Sequence, residues 1–391
     1  MANAAGNRNR LSYAVESNWG VDPAGNYNIL RKLGDAGITL DRSQLRTAEW
    51  NDRRAVTGFR LGNKNVGVNV PFELSYATYD DLVASAFFSD WVAAGAANAS
   101  LTVTVVAGST RTMGATGIGT GIAIGDWVKI AGFAPALTAN NGYYKVTGRT
   151  ADLLTFASAT NMVAGTSAGA TVSSQKMGYI IPGTTRKSLS FCESQIDITT
   201  YTQALGAIAD SMSLSVQPDA IITGAFGFLA KTFTGPQATT FGGTEVAANT
   251  NEIMQSNDAY TKMWLDNAAT PSCAITAWDF ALANGGARIM PVFCDSPNVI
   301  TADDAVFTGN LTMLWEDYTM LTKYLAETSI ALTSRLLDLN GLSGYAIEFP
   351  KVKLTGHAPQ RGKSNTLISM PWSALEDSST THVGCKIWRL V

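Results

Sequence analysis

Hydrophobic and polar residues alternate without a break from Val66 to Tyr76. Val66, Val68, Val70, Phe72, Leu74 and Tyr76 stand against Gly67, Asn69, Pro71, Glu73 and Ser75. A period of two predicts a strand with one buried face. From Tyr79 the spacing changes: Tyr79, Leu82, Val83, Ala86 and Phe87 recur at the intervals of one helix face. Asp80 and Asp81 fall in its first turn, where carboxylates suit the helix dipole. They are therefore expected to start the helix and not to form an acid–base pair, and Asp303 with Asp304 reads the same way. A strand, a sharp turn and a short helix are predicted across 58–91.

The unit returns near the other end. Phe307, Leu311, Met313 and Trp315 alternate, and Tyr318, Leu321, Tyr324 and Leu325 then take helical spacing. Laying Tyr79 on Tyr318 brings Leu82 onto Leu321, Tyr76 onto Trp315, Leu74 onto Met313 and Phe72 onto Leu311 with no gap. The strands that follow also correspond: 186–191 with 328–332, and 212–216 with 350–354. A diverged tandem duplication is expected, its first copy carrying extra residues between helix and later strands.

Those extra residues differ in character. From 96 to 176 the chain is rich in Gly, Ala, Thr and Ser, with short alternating runs at Leu101–Val105, Trp127–Ile130 and Tyr143–Val146. Asn141-Gly142 is a strong hairpin signal. About five strands are predicted here, as a small barrel-like module inserted in a surface loop. Residues 1–60 read as an extended arm with irregular elements, and 232–258 as a loop-rich link. The fold class expected is mainly β: two tandem sandwich- or barrel-type domains, each with one short flanking helix, plus the small inserted β domain. The boundaries are 1–95 with 177–235 for the first, 96–176 for the insert and 236–391 for the second.

Composition agrees with that class and removes several functions. Only 15% of the 391 residues are charged, while glycine numbers 36, which favours strands and tight turns over long helices. The net charge of −3 does not suit electrostatic capture of nucleic acid. No run is long and apolar enough for a membrane span, and the first ten residues carry no apolar signal core. The four cysteines (Cys192, Cys273, Cys294 and Cys385) are scattered and expected to be reduced thiols. His357 and His382 are the only histidines, far apart and in no paired motif with cysteines, so no metal site is expected. The glycines at 114, 117, 119 and 121 lack the Lys-Ser/Thr and the helix that a phosphate loop needs. Neither an enzyme nor a cofactor is expected.

ESNWGVDPA (16–24), the arginine-bearing loop after Leu40, FELSYATYDDLVASAF (72–87), GDWVKIAGF (125–133) and NNGYYKVTG (140–148) resemble the tail tube proteins of long-tailed, siphovirus-like bacteriophages. The resemblance covers most of 10–235 and thins after about 240, where the duplication argument carries the reading. It implies a β-sandwich with a flanking helix, strands of neighbouring subunits lining a channel, and rings stacked through loops and N-terminal arms into a tube that conducts the genome. It also implies a place in the virion tail after synthesis and assembly in the bacterial host cytoplasm, with tape-measure and tail-end proteins as partners. DNA would pass without specific binding. If tube rings hold six tube domains and each chain supplies two, a ring is a homotrimer with pseudo-six-fold symmetry; the alternative is a hexamer. Within this picture Arg46, Trp50, Arg53 and Arg54 are candidates for ring-to-ring contact. Asn69, Glu73, Ser75, Asn310, Thr312 and Glu316 are candidates for a channel-facing sheet surface. Tyr79, Leu82, Tyr318 and Leu321 are expected to bury the helices. A competing reading is a surface adhesin or carbohydrate-binding protein, with Trp127, Tyr143 and Tyr144 as a stacking platform.

Overall fold

The computed structural model describes residues 8–34, 36–50, 52, 56–107, 111–156, 162–258, 261–266, 268–269, 275–362, 365–377 and 383–391. The first half opens with β1 (Asn9–Val15), β2 (Tyr27–Ile29), β3 (Gly37–Arg46) and β4 (Phe59–Glu73), followed by α1 (Asp80–Phe87). The alternation around Val70 becomes β4, with Val66, Val68, Val70 and Phe72 buried. In α1 the apolar stripe is buried in turn, and Phe87 meets Phe307 of the second half at 5.7 Å between ring centroids.

Residues 97–176 make a separate sheet of eight strands. These are β5 (Ala97–Leu101), β6 (Thr104–Val106), β7 (Arg111–Gly114) and β8 (Trp127–Ala131), then β9 (Gly142–Arg149), β10 (Leu153–Phe156), β11 (Gly165–Thr166) and β12 (Val172–Lys176). The sheet encloses its own apolar cluster, including Val105, Met113, Ile130, Val146, Leu154 and Val172. It exceeds the five strands expected, and it is open, not closed into a barrel. The additional strands are two to five residues long, too short to show a period. Asn141-Gly142 is not the tip of a two-residue turn: β8 and β9 do pair, but across a longer loop holding the 3-10 turn Pro135–Asn140. Asn141 instead accepts the Phe133 N–H through Oδ1 at 3.0 Å.

The chain then returns to the first half through β13 (Gly178–Ile180), β14 (Leu189–Gln195), β15 (Thr200–Val216), β16 (Thr223–Ala230), β17 (Thr232–Gln237) and β18 (Glu245–Val246). β1 pairs along its whole length with β14, so this part of the expected extended arm belongs to the chain's own sheet. Residues 232–258 are likewise more than a loose link: β17 pairs with β15, β18 runs parallel to β2, and Ile253 bridges Ser75.

The second half comprises β19 (Lys262–Leu265), β20 (Ala268–Ala269), β21 (Ile275–Ala283), β22 (Ala287–Ile289), β23 (Val299–Thr301) and β24 (Val306–Leu314). After α2 (Thr319–Leu325) come β25 (Ile330–Leu337), β26 (Gly344–Leu354), β27 (Ala358–Arg361), β28 (Thr366–Ala374) and β29 (Lys386–Leu390). Its pairing order matches that of the first half. β3–β4–β16–β15–β14 corresponds to β21–β24–β28–β26–β25, antiparallel throughout, with the helix after β4 and after β24. The halves also share a sheet, because β15 pairs with β21 from Ser211↔Ala283 to Val216↔Trp278.

α2 departs from its counterpart. Tyr79 is buried, its hydroxyl donating to the Arg31 carbonyl at 2.7 Å and its ring 4.6 Å from that of Phe72. Leu82 is buried beside it. Tyr318, expected in the core, is 71% exposed and packs edge-on against Trp315, while Leu321 is only half-buried. Both helices begin at the residue after the tyrosine, but α2 buries Met320 and not the residue aligned with Leu82, and Asp317 accepts the N–H and the hydroxyl of Thr319 at 2.8 and 2.9 Å.

Candidate functional site

Because side chains alternate across a pleated sheet, the register of β3 to β28 sorts the sheet's residues into two faces. One face is apolar: Phe72, Gly224, Leu214, Phe280, Gly309, Trp372 and Leu354 lie in one cross-strand row. This row feeds the main core, where Phe349 packs on Phe280 and Trp372 at 5.3 and 4.8 Å.

The opposite face is made of small and polar groups. One row reads Gly37, Asn69, Gly227, Ser211, Ala283 and Val306. The next reads Pro71, Ala225, Ser213, Ala281, Thr308, Ser373 and Lys353. A third reads Glu73, Thr223, Ser215, Asp279, Asn310 and Pro371, and a fourth Ala277, Thr312, Ser369 and Ala358. The face crosses from one half to the other at Ser211–Ala283 without interruption. Its composition is even: hydroxyls, methyls and glycines, no aromatic ring and no arginine in these rows.

Charge on it is sparse and mostly negative. Glu73 and Asp279 lie in the third row; Lys353, at the far edge, is ion-paired with Glu327 at 3.1 Å. Burial raises the Asp279 carboxyl, an effect offset in part by the Asn310 N–H, which donates to Oδ1 at 3.1 Å. Asn310 is held in turn: Ser369 donates to its Oδ1 at 2.8 Å, and its Nδ2 donates to Thr312 at 3.2 Å. Such a surface offers weak, evenly spaced hydrogen bonding and, apart from the ion-paired Lys353 at its edge, no fixed cation for a polyanion.

Four of the six residues expected on such a face lie in these rows: Asn69, Glu73, Asn310 and Thr312. Two do not. Ser75 is wholly buried past the end of β4, where its hydroxyl is 2.5 Å from that of Thr78. Glu316 is exposed but lies beyond β24, which ends at Leu314. Ser211, Ser213, Ser215, Thr223, Asp279 and Thr308 were missed, although the alternation SMSLSV (211–216) carries the signal.

At one end of this sheet, β3 and β4 continue as an arm. Past the register shift between Arg42 and Gln44, Leu45, Phe59 and Leu61 are exposed, as is Arg46, and Trp50 is wholly exposed at the tip. Arg53 and Arg54 lie outside the described residues. Val292 and Phe293, exposed in the connection between β22 and β23, were not anticipated from sequence.

The insert docks on β25, β26 and β29, which removes the aromatic platform of the adhesin reading. Trp127 and Tyr143 are buried between the two bodies, and Tyr144 is half-buried against Phe156. The Glu348 carboxylate joins the parts. Trp127 and Trp388 each donate an indole N–H to it at 2.8 Å, and Lys145 lies 2.9 Å away.

No group of three or more potential metal ligands occurs among the described residues. His357 sits edge-on to Trp315 at 5.5 Å, and His382 and Cys273 lie outside the described residues. Cys192 and Cys385 are buried, with thiols pushed up chiefly by burial, whereas Cys294 is exposed. Asp80 does more than begin a helix: its carboxylate accepts from Tyr345 at 2.6 Å and pairs with Arg389 at 2.8 Å, tying α1 to the second half.

A sequence model of the family described as phage tail tube protein matches residues 6–374, well past the stretch that carries the resemblance in sequence. No curated protein matches the chain.

Proposed function

The chain belongs to the phage tail tube protein family, and from that premise we propose that three copies close a ring, each supplying two tube units, and that stacked rings form the channel through which the genome leaves. The observation that carries this reading is the sheet shared by two halves with the same pairing order. β15 and β21 meet edge to edge within one chain as the edges of adjacent units in a ring must. Among the described residues β3 pairs only with β4, and β27 only with β28, which leaves an outer edge at each end for neighbouring copies.

In this arrangement the face of small and polar groups lines the channel. Its few charges, Glu73 and Asp279 foremost, repel phosphates, so the genome slides without being held. Asn69, Asn310 and Thr312 belong to that wall, while Arg46 and Trp50 on the projecting arm reach the next ring. The insert, docked on the outer side of β26, adds girth. Tape-measure and tail-end proteins complete the tail in the virion. Electron microscopy of tubes formed by the purified protein tests the symmetry. Alternating, non-identical densities with three-fold repetition are expected; strict six-fold subunit density would end the trimer.

A further inference from the structure

The matching pairing orders give the projecting arm a counterpart. β21 precedes β24 as β3 precedes β4, so the connection 284–305 stands where the distal arm between β3 and β4 stands in the first half. The two connections touch. The Lys64 N–H donates to the Asp295 carbonyl at 3.0 Å, Lys64 Nζ lies 2.7 Å from the Asp295 carboxylate, and Arg288 donates to the Val66 carbonyl.

The second connection is differently built. β22 and β23 pair through three residues each, which props up the loop 290–298. At its tip Val292 is 78% exposed and Phe293 104%, the latter with a left-handed φ of 71°, and Ile289 and Val299 below them are also exposed. A large aromatic held outward beside an aliphatic neighbour is disfavoured in a lone soluble chain and marks a contact surface. The neighbouring arm presents Leu45, Phe59, Leu61 and Trp50 in the corresponding position, so both halves raise apolar side chains between β-strands at equivalent places.

We propose that the loop 290–298 is a second ring-to-ring contact, in which Val292 and Phe293 are buried against another copy of this chain in the adjacent ring. This rests on the tube reading above. Each ring then presents six stacking elements of two alternating kinds, three arms and three loops, in keeping with its pseudo-six-fold symmetry. Phe293 serves as the anchor: a side chain of its size, fully desolvated on stacking, shifts the assembly equilibrium by about tenfold or more.

The test compares wild type with Phe293→Ser and the conservative Phe293→Leu. Thermal unfolding of the subunits is expected to coincide for all three, since the Phe293 side chain is fully exposed in the subunit. Phe293→Ser should raise the concentration needed for tubes by at least about tenfold, with Phe293→Leu close to wild type. A second measurement uses Cys294 as reporter in a Cys273→Ser background, the thiols of Cys192 and Cys385 being buried. Maleimide should label Cys294 rapidly in subunits and slowly in tubes. Phe293→Ser tubes forming at the wild-type concentration, or equal labelling of subunits and tubes, would overturn the contact while leaving the tube intact. Failure of the wild type to form any tube would instead sink the reading on which it rests.

Discussion

Glycine supplies the room in which the largest core rings sit. Gly224 faces Phe72, and a Cβ there would lie 2.5 Å from the Phe72 ring and 2.4 Å from the Ser213 carbonyl oxygen. Gly309 faces Trp372 in the same row of the second half, where a Cβ would come within 2.4 Å of the indole and 2.2 Å of the Asp279 carbonyl oxygen. Neither position has unusual backbone angles, so close approach and not conformation demands glycine. In both halves, then, a glycine and a bulky ring pair across neighbouring strands, on the face opposite the small polar groups. Gly309→Val is expected to overpack this row, destabilising the chain by about 2 kcal/mol or more. A lowered midpoint in thermal or urea unfolding would register it, and an unchanged midpoint would show that the sheet can yield there.

Among elements, β29 holds the insert to the body through charge as well as packing. Lys386 projects between Tyr179 and Trp388, its Nζ 4.0 and 3.8 Å from their ring centroids. Burial pushes its pKa down to about 8, against the pull of the Glu348 and Asp126 carboxylates, while Lys176 and Lys145 push the same way as burial. The ordinary lysine value is 10.5, so between about 8 and 10.5 the unfolded chain binds more protons than the folded one. Stability contributed by this site must therefore rise with pH through that window. Buried tyrosines, among them Tyr13, Tyr27 and Tyr143, have raised hydroxyls and act in the opposite direction once pH passes about 10. Calorimetry from pH 8 to 10 should show wild type gaining stability relative to Lys386→Met; parallel profiles would remove Lys386 as the cause. The aromatic residues here illustrate how far sequence reading reached. Trp127 and Tyr143 were visible as exceptional in a Gly/Thr-rich stretch, but their partners Glu348 and Leu342 lie far along the chain. No local pattern names such partners, so the residues looked like a free platform.

At the level of the whole molecule, the channel reading places Glu73 and Asp279 on the wall along which the genome moves. Replacing both with lysine would put fixed cations on a face that otherwise has none in its central rows. In phage carrying Glu73→Lys with Asp279→Lys, tubes of normal length are expected, because neither residue lies in the core. Ejection followed by dye release should slow several-fold and recover with added salt, since exposed charge–phosphate attraction is screened. Ejection at the wild-type rate in low salt would argue that this face is turned away from the genome.

Sequence alone determined the entry strand of each half, the helix after it and the repeat of their spacing. Period-two and helical spacing are properties of a few consecutive residues, and a repeated spacing shows up without knowledge of any contact. It also singled out Asn69, Glu73, Asn310 and Thr312, because alternation marks the polar side of a strand. Tertiary structure decided what alternation cannot encode. The junction of β15 with β21 joins the halves into one sheet, Ser75 is drawn under the turn beside Ile253, and the body closes over Trp127 of the insert. Each of these depends on a partner distant in the chain, whose position is set only when edges pair and faces are buried.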